Sequence, residues 1–473
     1  MSERPAPERP AEPRLDPVLA EYTPFADAAL TDAERWPTLT AAGAARLTAV
    51  REHPRAPAWV HACGDRLTAG DVARLDRLHD DIAAAPAPAA GAAAPEWVDE
   101  LLARAARTVP HYRRRWRGAP PPLAEVPPIS RAHLARALAD FVPLDVPLAD
   151  AIAGTSSGST GAAVVLPQHP VTVAADLVQL RRLVTGAGRT WRPDPARVAV
   201  LSVVAQETAF TYGSVLSAFE QAAMARITLH PAGWRRAGDR EAYLAWADPQ
   251  VITSTPLALL RLAELDVDLR PLAVVSGATA LAPATRAVLE ERWAAPVLDV
   301  YGLVEAGPLA ASGAAGEPHR LLPRRVHVEV LDADGAPVPV GGRGEVVVTA
   351  DENPYLPLLR YRTGDTAVLG ADGALHALEG RAPVRFRHDD GTWVDAVSAT
   401  QLLQAHGARA WQLHQDAAGA LRLDLLGGDA DGARKSLRRL LGRDLALRVL
   451  ASPDELGPGK PRRFSSDLPG GTA

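Results

Sequence analysis

The sequence predicts an α/β chain: a large N-terminal domain with parallel βαβ-type sheets and an antiparallel β subdomain, then a small α+β C-terminal domain. Three observations carry this. Between about residues 196 and 300, short apolar runs alternate with amphipathic stretches, the pattern of parallel βαβ units. After 320 the rhythm becomes strict alternation around turn residues, the pattern of antiparallel strands. Near Gly380–Pro383 glycine and proline punctuate the chain, leaving roughly ninety residues for a separate unit. At 473 residues the chain is too long for one ordinary core.

The elements follow in order. Residues 1–14, "MSERPAPERPAEPR", and 467–473, "DLPGGTA", have the composition of disordered tails. "AGDVARLDRLHDDI" and "PEWVDELLARAARTVPHYRRRW" show helical spacing, and "AAAPAPAAGAAAP" at 83–95 reads as a loose connection between them. "ARVAVLSVV" is a strand, and "GSVLSAFEQAAMA" reads as the helix after it. "RITLH", "QVITSTP", "LAVVSGA" and "APVLDVYG" are further strands, with "LALLRLAEL" and "PATRAVLEERW" as helices between them. "RRVHVEVLDADGAPVPVGGRGEVVVTA" holds two alternating strands. "RFRHDDGTWVDA" is a hairpin turning at Asp390-Gly391, and "DGARKSLRRLLG" is a helix. The expected domains are therefore 15–380 and 381–466.

Composition excludes several classes. A formal charge of −5 over the whole chain gives no general attraction to nucleic acid or to an anionic membrane. Cys63 is the only cysteine, so neither an internal disulfide nor a multi-cysteine zinc site can form. With no apolar signal core at the N-terminus and no long apolar run, a cytoplasmic location is expected.

Several short stretches carry chemistry. Thr155, Ser156, Ser157, Gly158, Ser159, Thr160 and Gly161 offer five hydroxyls and two glycines in seven residues. Glycines let backbone N–H groups converge on an anion, and hydroxyls add donors or a metal ligand. No lysine follows, and the next residues are strand-like, so this is not the strand–loop–helix phosphate loop. "SGAT" at 276–279 and "YGLVEAGP" at 301–308 end strands, where ligands of parallel sheets bind. Tyr301 can stack a base, and Glu305 is a hard oxygen ligand for magnesium. "RYRTGD" at 360–365 ends in a turn delivering Asp365, a carboxylate able to accept both hydroxyls of a ribose. Arg381 and, in "GPGKPRR", Lys460 complete the set.

In this order, SSGSTG, YGxxE, YRTGD, GR and a late GK resemble the adenylate-forming superfamily of acyl-CoA synthetases, adenylation domains and luciferases. "VPPISRAHLARALADFVPLD", "HYRRRW", "PVPVGGRGEVVVTA" and "LPLLRYRTGD" are similar to the phenylacetate–CoA ligase branch, and the resemblance runs from about 100 to 465. It implies ATP-dependent adenylation of a carboxylic acid with loss of pyrophosphate, then transfer to CoA or to an amine or a carrier protein. A non-catalytic nucleotide-binding relative is the remaining alternative.

The resemblance also implies roles. The 155–161 loop closes over the ATP phosphates, with Thr160 catalytic. Ser276, Gly277 and Ala278 line the adenine, Tyr301 and Gly302 pack on it, and Glu305 holds Mg2+. Asp365 binds the ribose with Arg381 nearby, and Lys460 reaches the carboxylate and the α-phosphate from a mobile domain. By family position Phe210, Tyr212, Gly213 and Gly307 contact the substrate, and the two aromatic side chains suit an aryl acid. The sequence does not give the oligomeric state; frequent dimers in the branch make a homodimer one option by analogy, and neither nucleic acid nor membrane is expected as partner.

Four departures stand out. Ala162-Ala163 replace a usual Lys-Pro, and Thr279 a usual glutamate. No aspartate follows Gly380-Arg381, where Pro383 restrains the backbone and would limit domain rotation. "EPHRLL", with His319, stands where the branch carries a Gly-Leu-His element.

Overall fold

The computed structural model describes residues 30–83, 85–116, 118–156, 164–207, 209–380, 384–457 and 462–471. The largest sheet has eight strands in the order β11-β10-β9-β8-β7-β4-β6-β5. These are β4 (Val200–Val204), β5 (Tyr212–Leu216), β6 (Ala222–Thr228), β7 (Val251–Ser254), β8 (Ala273–Gly277), β9 (Val297–Leu303), β10 (Gly307–Ser312) and β11 (Arg320–Leu321). The run β6-β4-β7-β8-β9 is parallel, and β5, β10 and β11 add antiparallel edges. Helices such as Pro256–Ala263 and Pro283–Trp293 bury their apolar faces on it, and Leu260 and Leu289 join one core with Ile252 and Val274.

A second sheet of five strands runs β1 (Ile129–Ser130), β14 (Leu358–Leu369), β13 (Arg343–Ala350) and β12 (Val326–Leu331), with β15 (Leu375–Glu379) also on β14. Its alternating Val326, Val328 and Val330 face a separate apolar cluster, as a half-buried antiparallel sheet requires. The strands β2 (Ile152–Ser156) and β3 (Val164–Gln168) form an antiparallel pair whose connection, 157–163, lies outside the described residues.

Residues 384–471 hold their own sheet and core. β16 (Arg385–Arg387) and β17 (Trp393–Asp395) make the expected hairpin, with Gly391 at φ +87° in its turn. Then β20 (Leu445–Leu450), β19 (Leu421–Leu426), β18 (Ala410–Gln415) and β21 (Phe464–Ser466) lie side by side in that order. Trp411, Leu423 and Leu437 centre this core, whereas Leu426, Leu450 and Leu456 pack into the core of the large sheet.

Two local expectations are corrected. "GSVLSAFEQAAMA" is not a helix: it is β5, a tight turn and the start of β6. The turn places Glu220 and Gln221 at φ 51° and 52°, which a helix forbids. The chain N-terminal to it decides this: Trp36 donates its indole N–H to the carbonyl of Val215, and Gln221 Oε1 accepts from the amide and hydroxyl of Thr40. Likewise, the described residues of 83–95 do not form a loose connection throughout. The amide of Ala90 donates to the Gly373 carbonyl at 2.8 Å, and that of Gly91 to Val328 at 2.9 Å.

Candidate functional site

The site is assembled where β8 and β9 end against β14. At the end of β8, Ser276 is fully buried with its hydroxyl unpaired among the described residues, and Ala278 adopts φ 65°, a left-handed conformation unusual for alanine. An unsatisfied buried hydroxyl beside backbone strain marks a place held open by surrounding structure. Gly277 packs so closely on β9 that an added Cβ would stand 3.3 Å from the Val300 carbonyl oxygen.

The β9–β10 hairpin brings the YGLVEAG residues in. At Gly302 a Cβ would meet the Gly307 carbonyl oxygen at 2.8 Å, so only glycine allows the two strands to close. Tyr301 Oη donates to Asp365 Oδ2 at 2.8 Å, joining residues 64 positions apart. Asp365 is 6% exposed, and its amide donates to Thr363 Oγ1 at 3.0 Å. Its other oxygen, Oδ1, faces Gly380, where a Cβ would stand 3.6 Å away. Glu305 is 5% exposed and accepts from Tyr361 Oη at 3.0 Å. Two tyrosines on the sheets thus orient two carboxylates.

The hairpin turn is braced from below. Arg324 is buried and donates to Asp176 Oδ1 at 3.0 Å, to Glu352 Oε2 at 2.6 Å and to the Pro308 carbonyl at 2.9 Å. Burial opposes its charge, but Asp176 and Glu352 outweigh that and lift its pKa above the ordinary value. Gly307, at φ +69°, has no room for a side chain: a Cβ would meet Arg324 at 2.8 Å and Asp176 at 2.9 Å.

Asp299 on β9 is opposite Ser276 in register and lies 3.3 Å from Nε2 of His319, the histidine of "EPHRLL". Across the cleft, Arg463 of the C-terminal unit donates to the Ala280 carbonyl, with its guanidinium 4.6 Å from the centre of the Trp411 ring. Burial pulls its pKa down to about 10, against the opposing charges of Asp299 and Glu379. On the other side Arg261 pairs with Asp454 at 2.6 Å and donates to the carbonyls of Pro453 and Gly457. These two arginines tie both flanks of 458–461 to the large domain.

The structure therefore brings Ser276, Gly277, Ala278, Tyr301, Gly302, Glu305, Gly307 and Asp365 together. Ser157–Gly161 with Thr160, Arg381, Pro383 and Lys460 lie outside the described residues; for Thr155 and Ser156 the backbone pairing in β2 is described. Phe210, Tyr212 and Gly213 are not with the site. β5 is five strand spacings from β9, roughly 24 Å across the sheet. Phe210 packs on the His61 ring at 3.9 Å between centroids, and burial pushes the Tyr212 hydroxyl up to about 12. Gly213 lies against Val50 and accepts from Arg51 through its carbonyl.

Tyr361, Arg324, Asp176, Asp299, Arg261 and Arg463 were not singled out from the sequence. Tyr361 and Arg463 had a signal, since they stand inside YRTGD and GPGKPRR; the others act through contacts made far along the chain. Glu305 engages one carboxylate oxygen with Tyr361, and the other makes no hydrogen bond among the described residues. That suits Mg2+, which is held by one or two carboxylates plus phosphates and waters. Among the described residues, no group of three or more His, Cys, Asp or Glu could hold a metal ion, and no helix is long and apolar enough to cross a membrane.

Residues 155–353 match the family model described as AMP-binding enzyme. Among solved structures the chain is similar to 2-hydroxyisobutyryl-CoA ligase in its postadenylation state with 2-HIB-AMP, at TM-score 0.60 and 19% identity, covering 78% of this chain and 88% of that one. The same ligase with R3-HIB-AMP matches at TM-score 0.59 and 18% identity, again over 78% and 88%. Its open conformation with 2-HIB-AMP and CoA matches at 0.50 and 19%, over 78% and 89%. No curated protein matches the chain in sequence. Likeness at this identity speaks to the fold, and the matched family model speaks to the nucleotide site within it. Residues 155–353 thus match the AMP-binding enzyme family, and the fold resembles that of this ligase over 78% of the chain.

Proposed function

We propose that this protein adenylates a carboxylic acid with ATP, releases pyrophosphate and passes the acyl group to CoA, as a phenylacetate–CoA ligase-like enzyme. The observation that carries the reading is the hydrogen bond between Tyr301, in the stretch that matches the AMP-binding enzyme model, and Asp365 on β14. Asp365 accepts the ribose hydroxyls, and Tyr301, held by that same carboxylate, presents its ring edge-on or flat to the adenine. The strained Ala278 turn and the unpaired Ser276 hydroxyl form the wall the base meets.

The chemistry needs charge control. A carboxylate oxygen attacks the α-phosphorus, that bond forms, and the bond to pyrophosphate breaks. Glu305 is proposed to hold Mg2+, which when bound screens the phosphate charge. Thr160 with the 155–161 loop donates to the departing phosphates, and Lys460 bridges the attacking carboxylate and the α-phosphate. The nonbridging charge is then shared among fixed donors, and closure of the small domain keeps water from the acyl-adenylate. The boundary near residue 380 is proposed as the hinge about which that domain turns.

The aryl substrate now rests on the branch resemblance alone, because Phe210 and Tyr212 belong to another region. The test is pyrophosphate release against a panel of aryl, alkyl and amino acids, each with and without CoA. Release with an aryl acid, followed by CoA thioester, is expected. Release without thioester, with turnover restored by an amine or a carrier protein, moves the acceptor assignment. ATP binding with no release for any acid overturns the adenylation reading.

A further inference from the structure

On β12, Val326, Val328 and Val330 belong to the core of the second sheet, so His327 and Glu329 stand on its other face. That face is covered by the docked segment around Ala90–Gly91 and by the turn Leu123–Glu125. The covering residues are small: Gly91, Ala92, Ala94 and Ala124. They leave a pocket of about 180 Å³, floored by His327, Glu329, Leu123 and Leu369, with Val338 and Pro337 at its side. Gly91 is set at φ +70° against Leu369, so this wall has a defined position.

The polar groups of the pocket are unequal. Glu329 already pairs with Arg360 at 3.2 Å. His327 is 7% exposed, and among the described residues its imidazole makes no hydrogen bond. Burial lowers its pKa, so the ring is neutral, with one N–H donor and one acceptor nitrogen. Its ring nitrogens are not sealed off but open onto the pocket, where a ligand can take the place of water as hydrogen-bond partner. A neutral imidazole and a compensated ion pair reject a charged ligand, because nothing is left to balance it.

We propose that this pocket is a second small-molecule site, for a neutral six-membered ring bearing one hydrogen-bonding substituent that pairs with His327. At about 180 Å³ the pocket has room for a ring with one added group. The site is distinct from the nucleotide cleft: Leu369 is four residues beyond Asp365 on β14, roughly 13 Å away.

Phenol is the probe, with toluene and benzoate as controls, titrated into the full-length chain with 13C-labelled histidine. Phenol is expected to shift the His327 resonance saturably, toluene to bind roughly 5-fold more weakly for want of one net hydrogen bond, and benzoate not to saturate. His327→Phe removes the partner, and Ala92→Phe fills the mouth from the opposite wall. Both are expected to abolish phenol saturation with an unchanged far-UV circular dichroism spectrum. If His327→Phe fails to fold, Ala92→Phe still decides. No saturation by phenol up to its solubility, or equal binding by wild type and the folded variants, overturns the proposal. The readout involves no turnover, so its failure leaves the adenylation reading untouched.

Discussion

Tyr301 and Asp365 lie in different sheets and 64 residues apart, yet they share a hydrogen bond at the mouth of the cleft. Phe210 and Tyr212 also stood among the expected substrate contacts, but Tyr212 opens the far edge strand and Phe210 lies just before it, both against His61. Strand order explains the contrast. β8 and β9 are adjacent and both finish at the cleft, whereas the segment after β4 doubles back through β5 to the edge. Two side chains share a site when their strands share a neighbourhood, whatever their separation along the chain.

Asp365→Ala tests the shared site most directly. Losing two charge-assisted hydrogen bonds to a ribose and unpairing Tyr301 is expected to weaken AMP binding by about 3 kcal/mol, on the order of 100-fold, in calorimetry. Unchanged affinity would remove Asp365 from the site. Gly307→Ala comes next. It strains φ +69° and drives a methyl into Arg324 and Asp176, for a loss of about 2–3 kcal/mol in denaturant stability together with weakened nucleotide binding. A variant as stable as wild type would mean the brace below the hairpin gives way freely.

Arg261→Ala removes the Asp454 ion pair and two carbonyl bonds, and is expected to loosen the C-terminal unit by about 2 kcal/mol. Small-angle scattering should show a larger radius of gyration with the large domain still folded. An unaltered scattering curve would show that Leu426, Leu450 and Leu456 hold the two units together unaided. Phe210→Ala probes the far edge of the sheet. It should lower stability by about 2 kcal/mol, below the figure for a fully buried phenylalanine, and leave the KM for the acid within about 2-fold. A tenfold rise in KM would return this aromatic cluster to the substrate pocket.

The smallest effect is pH dependence at His61. Burial, with Arg35 adding to it, holds its pKa down at about 4 against an ordinary 6.5. The unfolded chain binds the extra proton between those values, so this contribution to stability is present above pH 6.5 and is lost as pH falls toward 4. Thermal midpoints measured across that window should fall less steeply in His61→Phe than in wild type. Parallel curves would sink the assignment.

Much of the fold was legible because local rules suffice for it. The apolar strands β4, β7, β8 and β9 and the helices Ala69–Ala83 and Ala430–Leu441 follow from periodicity, and Asp390-Gly391 from its turn chemistry. The error at 213–225 is instructive. Small and apolar residues there suit either a helix or a β-hairpin, and Trp36, Thr38 and Thr40, far earlier in the chain, make the choice through Val215 and Gln221. Tertiary contact outweighs a weak local preference.

The same division holds for the site. By itself the sequence named Tyr301, Glu305 and Asp365, because each is the one chemically suited residue of a short motif with a turn or strand end beside it. Only the tertiary structure decided that Tyr301 orients Asp365, that Tyr361 orients Glu305, and that Arg324 holds the turn between them. It also moved Phe210 and Tyr212 away from the cleft. Motifs report which chemistry a residue offers; hydrogen bonds and strand order report where that chemistry is delivered, and they depend on residues the motif does not contain.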